Sequence, residues 1–92
     1  MPQANTSKIS DSAIIRSAAF RAGVDDARSG APARFDEFPD DWLYEWGRQF
    51  AFVAPMSQAL MDGRRVHRGA LYYLRRAFAR GALIDTAERT YQ

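Results

Sequence analysis

The chain has 92 residues, 47% of them hydrophobic, which allows one small domain with a single modest core. It contains no cysteine, which excludes disulfides and thiolate metal sites and favours a reducing compartment. The N-terminal residues lack the apolar core of a signal peptide, and the longest apolar stretch, residues 50–61, is too short to span a bilayer. We therefore expect a cytoplasmic protein with no membrane partner, folded as one helical domain over residues 1–92 with a flexible segment at 1–9.

The net charge of +2 conceals an uneven distribution of charge. Residues 1–50 carry six basic and eight acidic side chains, net −2, whereas residues 51–92 carry seven basic and three acidic ones, net +4. Twelve of the thirteen basic residues are arginine, which suits bidentate contacts with phosphate or carboxylate. A GC-rich genome is the alternative explanation for that preference. We expect the two halves to present different surfaces.

The first predicted element is a helix over residues 10–28, closed by Gly30. Ala19, Gly23 and Ala27 recur every four residues along it and leave a strip without bulky side chains. A glycine in the middle of a helix costs about 1 kcal/mol relative to alanine. We expect the close approach of another helix, or of an indole ring, to offset that cost.

The second predicted helix contains both tryptophans and organises the rest of the fold. It begins at Asp40 or Asp41 and stops at Pro55, after an irregular loop over residues 30–39. One face of this helix carries an apolar stripe at helical spacing: Trp42, Trp46, Phe50 and Val53. Large aromatic side chains dominate the core of a short chain, so we expect the protein to fold over this stripe.

Two further helices are predicted after Pro55. A short one covers residues 56–61 and ends at Gly63, and a longer one runs over residues 65–80 and ends at Gly81, with one final turn capped by Asp85. No alternating strand pattern of useful length is present. The predicted fold class is therefore all-α, a small bundle of three to five helices around the tryptophan-containing central helix.

The last long helix separates its apolar and basic residues on opposite arcs. The expected binding surface comprises Arg64, Arg65, Arg68, Tyr72, Arg75, Arg76 and Arg80. Residues 64–80 contain six arginines and no acidic residue. Guanidinium groups around a ring that can stack suit RNA or a phosphate backbone. They suit an acidic protein partner as well, and a solvated helix face would show a similar charge stripe.

No pattern of catalytic or metal-ligating residues is present. His67 is the only histidine, and no cysteine or paired acid lies near it in sequence. Adjacent acidic pairs occur at residues 25–26, 36–37 and 40–41. Adjacent residues on a helix do not share a face, and pairs in loops are usually solvated, so we expect no acid–base pair among them. No phosphate-binding glycine loop or nucleophile motif is found. We expect a non-enzymatic protein without catalytic residues, cofactor or metal.

Several short motifs are shared with one family of small bacterial proteins. The first helix contains Ala22-Gly23 and ends in Arg28-Ser29-Gly30, and Trp42-Leu43 and Trp46 follow 19 and 23 residues after Gly23. In these motifs, which lie within residues 19–53, the chain resembles the ribosome modulation factor family of stationary-phase proteins. The resemblance implies a helix of small residues that pairs with a tryptophan-containing helix across a loop. It also implies a non-enzymatic ribosome binder that contacts ribosomal RNA and promotes inactive ribosome dimers.

The chain also departs from that family. Its matching half is net acidic, residues 31–35 replace the family's Cys-Pro-Tyr loop, and residues 56–92 have no counterpart in the short family members. The leading hypothesis is an RNA or ribonucleoprotein binder, with the ribosome as partner. The alternative is a phage or mobile-element inhibitor or adaptor, similar to anti-CRISPR proteins, that blocks a host protein or nucleoprotein complex. Its acidic partner surface would comprise Asp36, Glu37, Asp40 and Asp41. The sequence leaves the oligomeric state open.

Overall fold

A computed structural model describes the backbone of residues 9–38 and 41–91 and the side chains of residues 9–38 and 42–81. Most of the predicted flexible segment, residues 1–8, lies outside this range, as does Asp40. The described part contains four α-helices: α1 Asp11–Arg16, α2 Ala18–Ser29, α3 Asp41–Val53 and α4 Arg68–Tyr91. A 3-10 helix, Phe35–Glu37, precedes α3, and an antiparallel hairpin of β1, Met61–Asp62, and β2, Arg65–Val66, precedes α4. The predicted helical bundle around the tryptophan-containing helix is confirmed.

The prediction of a single first helix is wrong, because the helix is interrupted at Ser17. That residue is extended, with φ −69° and ψ 144°, and its side chain accepts a hydrogen bond from the Phe20 N–H at 3.0 Å. Ser17 therefore caps α2 in the way that Ser10 caps α1. The break lets Ile14 and Ile15 of α1 reach the core together with Phe20 of α2.

The predicted short helix over residues 56–61 is also wrong, because that segment forms a turn and the first strand of the hairpin. Met61 pairs with Val66, and Asp62 pairs with Arg65. Gly63 has φ +63°, and glycine at the first position of a two-residue turn is typical of a type II′ hairpin. The strands have only two residues each, too few to produce an alternating pattern.

The last helix begins and ends later than predicted. The Gly69 N–H donates to His67 Nδ1 at 2.9 Å, so the imidazole satisfies a free donor at the start of α4. The helix then continues through Gly81 to Tyr91. At Gly81 the absence of a side chain admits the Trp46 ring, since a Cβ there would lie 2.9 Å from Trp46 Cη2. Gly81 is thus a packing position and does not stop the helix.

Helices α2 and α3 cross at two glycines. A Cβ on Gly23 would overlap the Tyr44 carbonyl oxygen and lie 3.0 Å from the Arg48 nitrogen. A Cβ on Gly47 would overlap the Phe20 carbonyl oxygen in the same way. The expectation that another helix approaches Gly23 closely is confirmed, and the two backbones are in direct contact at this crossing.

The core lies between α3 and its neighbours. It is formed by buried residues of the four helices and by Ala54, which directly follows α3. The helix residues are Ile14, Ile15, Phe20, Val24, Leu43, Phe50, Ala70 and Leu74. Trp42 and Trp46 are half-buried and pack against this core, and Trp46 meets Phe78 edge-on with ring centroids 4.4 Å apart. Helix α3 therefore presents its glycine side to α2 and Trp46 to α4, which makes it the centre of the bundle.

A buried polar cluster anchors the loop between α2 and α3. Tyr44 is fully buried, and its hydroxyl donates to Asp26 Oδ2 at 2.5 Å and accepts from the Arg34 backbone N–H at 3.0 Å. The Arg34 guanidinium contacts both Asp26 oxygens, at 2.8 and 3.2 Å. Phe38 stacks on the Tyr44 ring with centroids 4.6 Å apart. These contacts hold the pKa of Asp26 below its usual value, first through Arg34 and then through Tyr44.

Asp26→Asn is expected to destabilise the protein at neutral pH, because the amide cannot accept the same three charge-assisted hydrogen bonds. The ionised Asp26 has a lowered folded-state pKa, so its stabilising effect is fully present above the unfolded-state value of 3.8 and is lost as pH falls through the folded value. Urea denaturation should give a lower free energy of unfolding for the variant than for wild type at neutral pH. This difference should disappear in acid. The exposed neighbour Asp25 provides the matched control, and an equal effect of Asp25→Asn would contradict this account.

Candidate nucleic-acid interface

Helix α4 presents Arg68, Arg75, Arg76 and Arg80 to solvent, because its opposite side fills the core. Ala70, Leu74 and Ala77 are fully buried, and these positions fix the rotation of the helix. On the outward side, an open groove of about 560 Å³ is lined by Arg68, Leu71, Tyr72, Arg75, Arg76 and Ala79. We refer to these six residues as the basic groove. Arg80 is exposed on the same helix but does not line the groove.

Tyr72 lies among the arginines of the basic groove and is 56% exposed. The guanidinium carbon of Arg76, one turn further along, lies over its ring at 5.8 Å from the centroid, and Arg76 Nη1 donates to the Tyr72 hydroxyl at 3.4 Å. On another side, the ring meets Tyr73 nearly perpendicularly, at a centroid distance of 5.0 Å. Neighbours on the same helix thus hold the ring in place while leaving more than half of the residue open to solvent.

Arg75 is the one groove arginine that forms an ion pair with a described residue. Its Nε lies 3.2 Å from Asp11 Oδ2, in the first turn of α1. The Arg75 side chain is 77% exposed, so this is a solvent-screened surface pair worth at most about 1 kcal/mol. An incoming anion can therefore displace Asp11 from Arg75 at small cost.

Arg64 and Arg65 belong to the hairpin rather than to α4, so the predicted surface is built from two elements. Both side chains are exposed, Arg64 in the turn and Arg65 in β2. The Arg16 guanidinium, at the end of α1, donates to the Arg64 carbonyl oxygen at 2.7 Å. Arg16 thus adds a cation beside the hairpin that sequence analysis missed, because residues 48 positions apart carry no local signal of their contact.

The predicted acidic partner surface is described only in part. Asp36 and Glu37 are exposed in the 3-10 helix, and Phe35 beside them is 43% exposed. Glu37 pairs with Arg34 Nη1 at 3.1 Å, which ties the acidic turn to the buried polar cluster. Asp40 and the side chain of Asp41 lie outside the described residues.

The polar residues elsewhere in the described part do not form a metal site. No group of three or more histidine or acidic side chains there could hold a metal ion. His67 Nδ1 is occupied by the Gly69 N–H and faces the Gln58 amide at 3.1 Å. Asp26 is committed to Arg34 and Tyr44. The basic groove is therefore the candidate functional surface.

Within the residues that the structure describes, no helix combines the length and the apolar character needed to cross a membrane. No protein-family model, curated protein or solved structure matches this chain. Function is therefore inferred from the charge and geometry of the basic groove.

Proposed function

We propose that this protein is a non-enzymatic binder of RNA, free or within a ribonucleoprotein, and that the basic groove contacts the phosphate backbone. One observation carries the proposal: three arginines surround an exposed tyrosine in a single groove. Arginine stays protonated at any physiological pH and offers five donors in a planar fork that matches phosphate oxygens. Arg80 on α4 and Arg64 and Arg65 on the hairpin extend the positive field beyond the groove.

The ribosome is the partner that we favour. Helix α2 carries Gly23 and packs against the tryptophan-containing helix α3 across a short loop, which is the arrangement that the resemblance to the ribosome modulation factor family implies. Ribosomal RNA also supplies a dense array of phosphates for the arginines of α4. In this proposal, the α2–α3 pair is the scaffold, and α4 adds a basic surface to it.

The proposal is tested by fluorescence anisotropy with labelled RNA over a range of salt concentrations. Neutralising phosphates releases counterions, so four phosphate contacts give a log–log slope of about −3 on single-stranded RNA. The matching cellular experiment is affinity purification of the tagged protein with and without RNase. We expect ribosomal RNA and ribosomal proteins in the untreated sample. Binding that does not respond to salt would contradict the proposal.

Asp11→Asn is expected to strengthen RNA binding, by about 3- to 5-fold near 0.1 M salt, because it releases Arg75 and removes a negative charge beside the groove. The salt slope should stay near −3, because Arg75 already contacts phosphate in the wild-type complex. Asp25→Asn serves as the control, because it changes the net charge by the same amount at an exposed position of α2, which is not part of the basic groove. Weaker binding by Asp11→Asn, with Asp25→Asn unchanged, would show that the groove does not receive phosphate.

A second candidate function is inhibition of a host protein complex through the acidic turn of the 3-10 helix. The observation that favours it is the exposed Phe35 next to Asp36 and Glu37, on a turn that Arg34 and Phe38 hold against Tyr44. A rigid turn with acidic and aromatic side chains suits a basic protein partner. Reversing the charges of Asp36, Glu37 and Asp40 should abolish this activity and leave RNA binding intact. Recovery of one protein complex that survives RNase would favour this second function.

A further inference from the structure

The basic groove contains more than a phosphate site requires. Phosphate recognition needs hydrogen-bond donors and positive charge, which the arginines supply. Yet Leu71 and Ala79 also line the groove, together with the exposed Tyr72 ring. Apolar side chains next to a ring provide a surface for a flat, weakly polar group. The groove therefore combines cationic side chains with apolar and aromatic ones.

The Tyr72 ring is held in position before any ligand arrives. Tyr73 meets it edge-on, and the Arg76 guanidinium lies over it while bonding its hydroxyl. Tyr73 is itself half-buried against the core, so this support belongs to the fold. A ring fixed in advance loses little conformational entropy when a ligand stacks on it. The arrangement thus favours stacking over a purely electrostatic contact.

We propose that the groove binds an unpaired nucleotide of RNA, with its base stacked on Tyr72 and its flanking phosphates held by Arg68, Arg75 and Arg76. The inference rests on the proposed RNA binding and specifies the form of RNA that the groove recognises. The groove volume of about 560 Å³ lies in the range of sites for small ligands, roughly 300–1,000 Å³, so the groove has room for one nucleotide.

Duplex RNA cannot use the aromatic part of this groove. Bases inside a helix already stack on both neighbours, and the narrow major groove of A-form RNA excludes side chains. A duplex would meet only the arginines, whereas a single strand, loop or bulge can place a base on the ring as well. Every base has a flat face, so stacking should tolerate changes of sequence. The protein is therefore expected to select unpaired RNA over paired RNA with little preference for sequence.

The test compares binding of wild type, Tyr72→Leu and Tyr72→Phe to a single-stranded RNA and to a blunt duplex with the same number of phosphates. Stacking on one aromatic side chain typically contributes about tenfold in affinity. Tyr72→Leu should therefore weaken single-strand binding about tenfold and leave duplex binding unchanged. Tyr72→Phe keeps the ring and loses only the long contact of its hydroxyl with Arg76, so it should bind much more like wild type than Tyr72→Leu does. Tyr72 is exposed, and leucine favours helix, so thermal melting should show an intact fold for each variant.

A single strand with abasic sites provides the complementary control on the ligand. It keeps the phosphates but has no base to stack, so wild type should bind it as weakly as Tyr72→Leu binds the normal strand. Equal affinity of wild type and Tyr72→Leu for the normal strand, with salt-dependent binding retained, would overturn the stacking inference and leave the proposed RNA binding standing. Absence of binding to either form of RNA would overturn both.

Discussion

Gly23→Ala is expected to lower the free energy of unfolding by about 3 kcal/mol or more. The added methyl group meets backbone: it overlaps the Tyr44 carbonyl oxygen and approaches the Arg48 nitrogen. Backbone atoms cannot rotate away as the end of a side chain can, so α2 and α3 must move apart. That movement opens the core between Phe20 and Phe50, whose rings lie 5.5 Å apart. Urea denaturation, with the circular dichroism of both proteins recorded, measures the loss.

Gly47→Ala should have a similar effect, because its methyl group would overlap the Phe20 carbonyl oxygen at the same crossing. The double variant should cost much less than the sum of the two, since helices already separated by one methyl group have room for the other. Gly30→Ala is the control: among the described residues beyond its chain neighbours, no atom lies within 4 Å of a Cβ added there, and the positive φ of +76° opposes the change by about 1 kcal/mol. A Gly23 variant no less stable than the Gly30 variant would refute the close crossing.

The α2–α3 crossing shows what local sequence can predict. The recurrence of small residues around Gly23 indicated a close approach, and one occurs. Gly47 is the glycine that α3 contributes to the same crossing. The sequence around it shows no recurrence of small residues, because the large residues Tyr44 and Trp46 lie close to it on α3. Tyr44 is fully buried because Asp26, 18 residues earlier, pairs with its hydroxyl. No local periodicity carries information about a partner so distant in sequence.

The candidate site, too, was predictable only in part. The helical wheel placed Arg68, Tyr72, Arg75, Arg76 and Arg80 on one arc. All of them except Arg80 line the groove, because buried Ala70 and Leu74 fix the helix rotation. The parts contributed by other elements were not predictable. Asp11, which pairs with Arg75, and Arg16, which binds the Arg64 carbonyl, both come from α1, and their contacts depend on how that helix packs.

Helix α1 therefore places two charged side chains beside the basic surface. Its first turn supplies the acid that screens Arg75, and its last turn supplies Arg16 beside the hairpin. The separation of the two helices at Ser17 gives α1 a direction of its own, in contact with both α4 and β2. A single continuous helix, as the sequence pattern suggested, would carry Asp11 and Arg16 along the axis of α2. The positions of Asp11 and Arg16 beside the basic surface thus depend on a helix break that the sequence pattern did not reveal.

Simultaneous replacement of Arg68, Arg75, Arg76 and Arg80 by alanine is expected to weaken RNA binding by about 500-fold near 0.1 M salt. Each phosphate contact on a single strand contributes about 0.7 to the salt slope, which corresponds to about five-fold in affinity at this salt concentration. Four such contacts multiply to about 500-fold. The slope itself should fall by about 3, which makes the variant nearly insensitive to salt. All four side chains are exposed, alanine favours helix, and the Arg75–Asp11 pair is a surface pair, so the fold should be retained.

Two matched variants separate a specific surface from general positive charge. Arg21→Ala removes one charge from the exposed face of α2 and should change affinity less than Arg76→Ala, which removes one charge from the groove. Replacing the four arginines by lysine keeps the charge but loses the planar fork. Binding restored in full by lysine means that the groove acts through charge alone, whereas partial recovery means that guanidinium geometry matters. If the alanine variant binds RNA as tightly as wild type, the arginines of α4 are solvated surface residues and the RNA contact lies elsewhere.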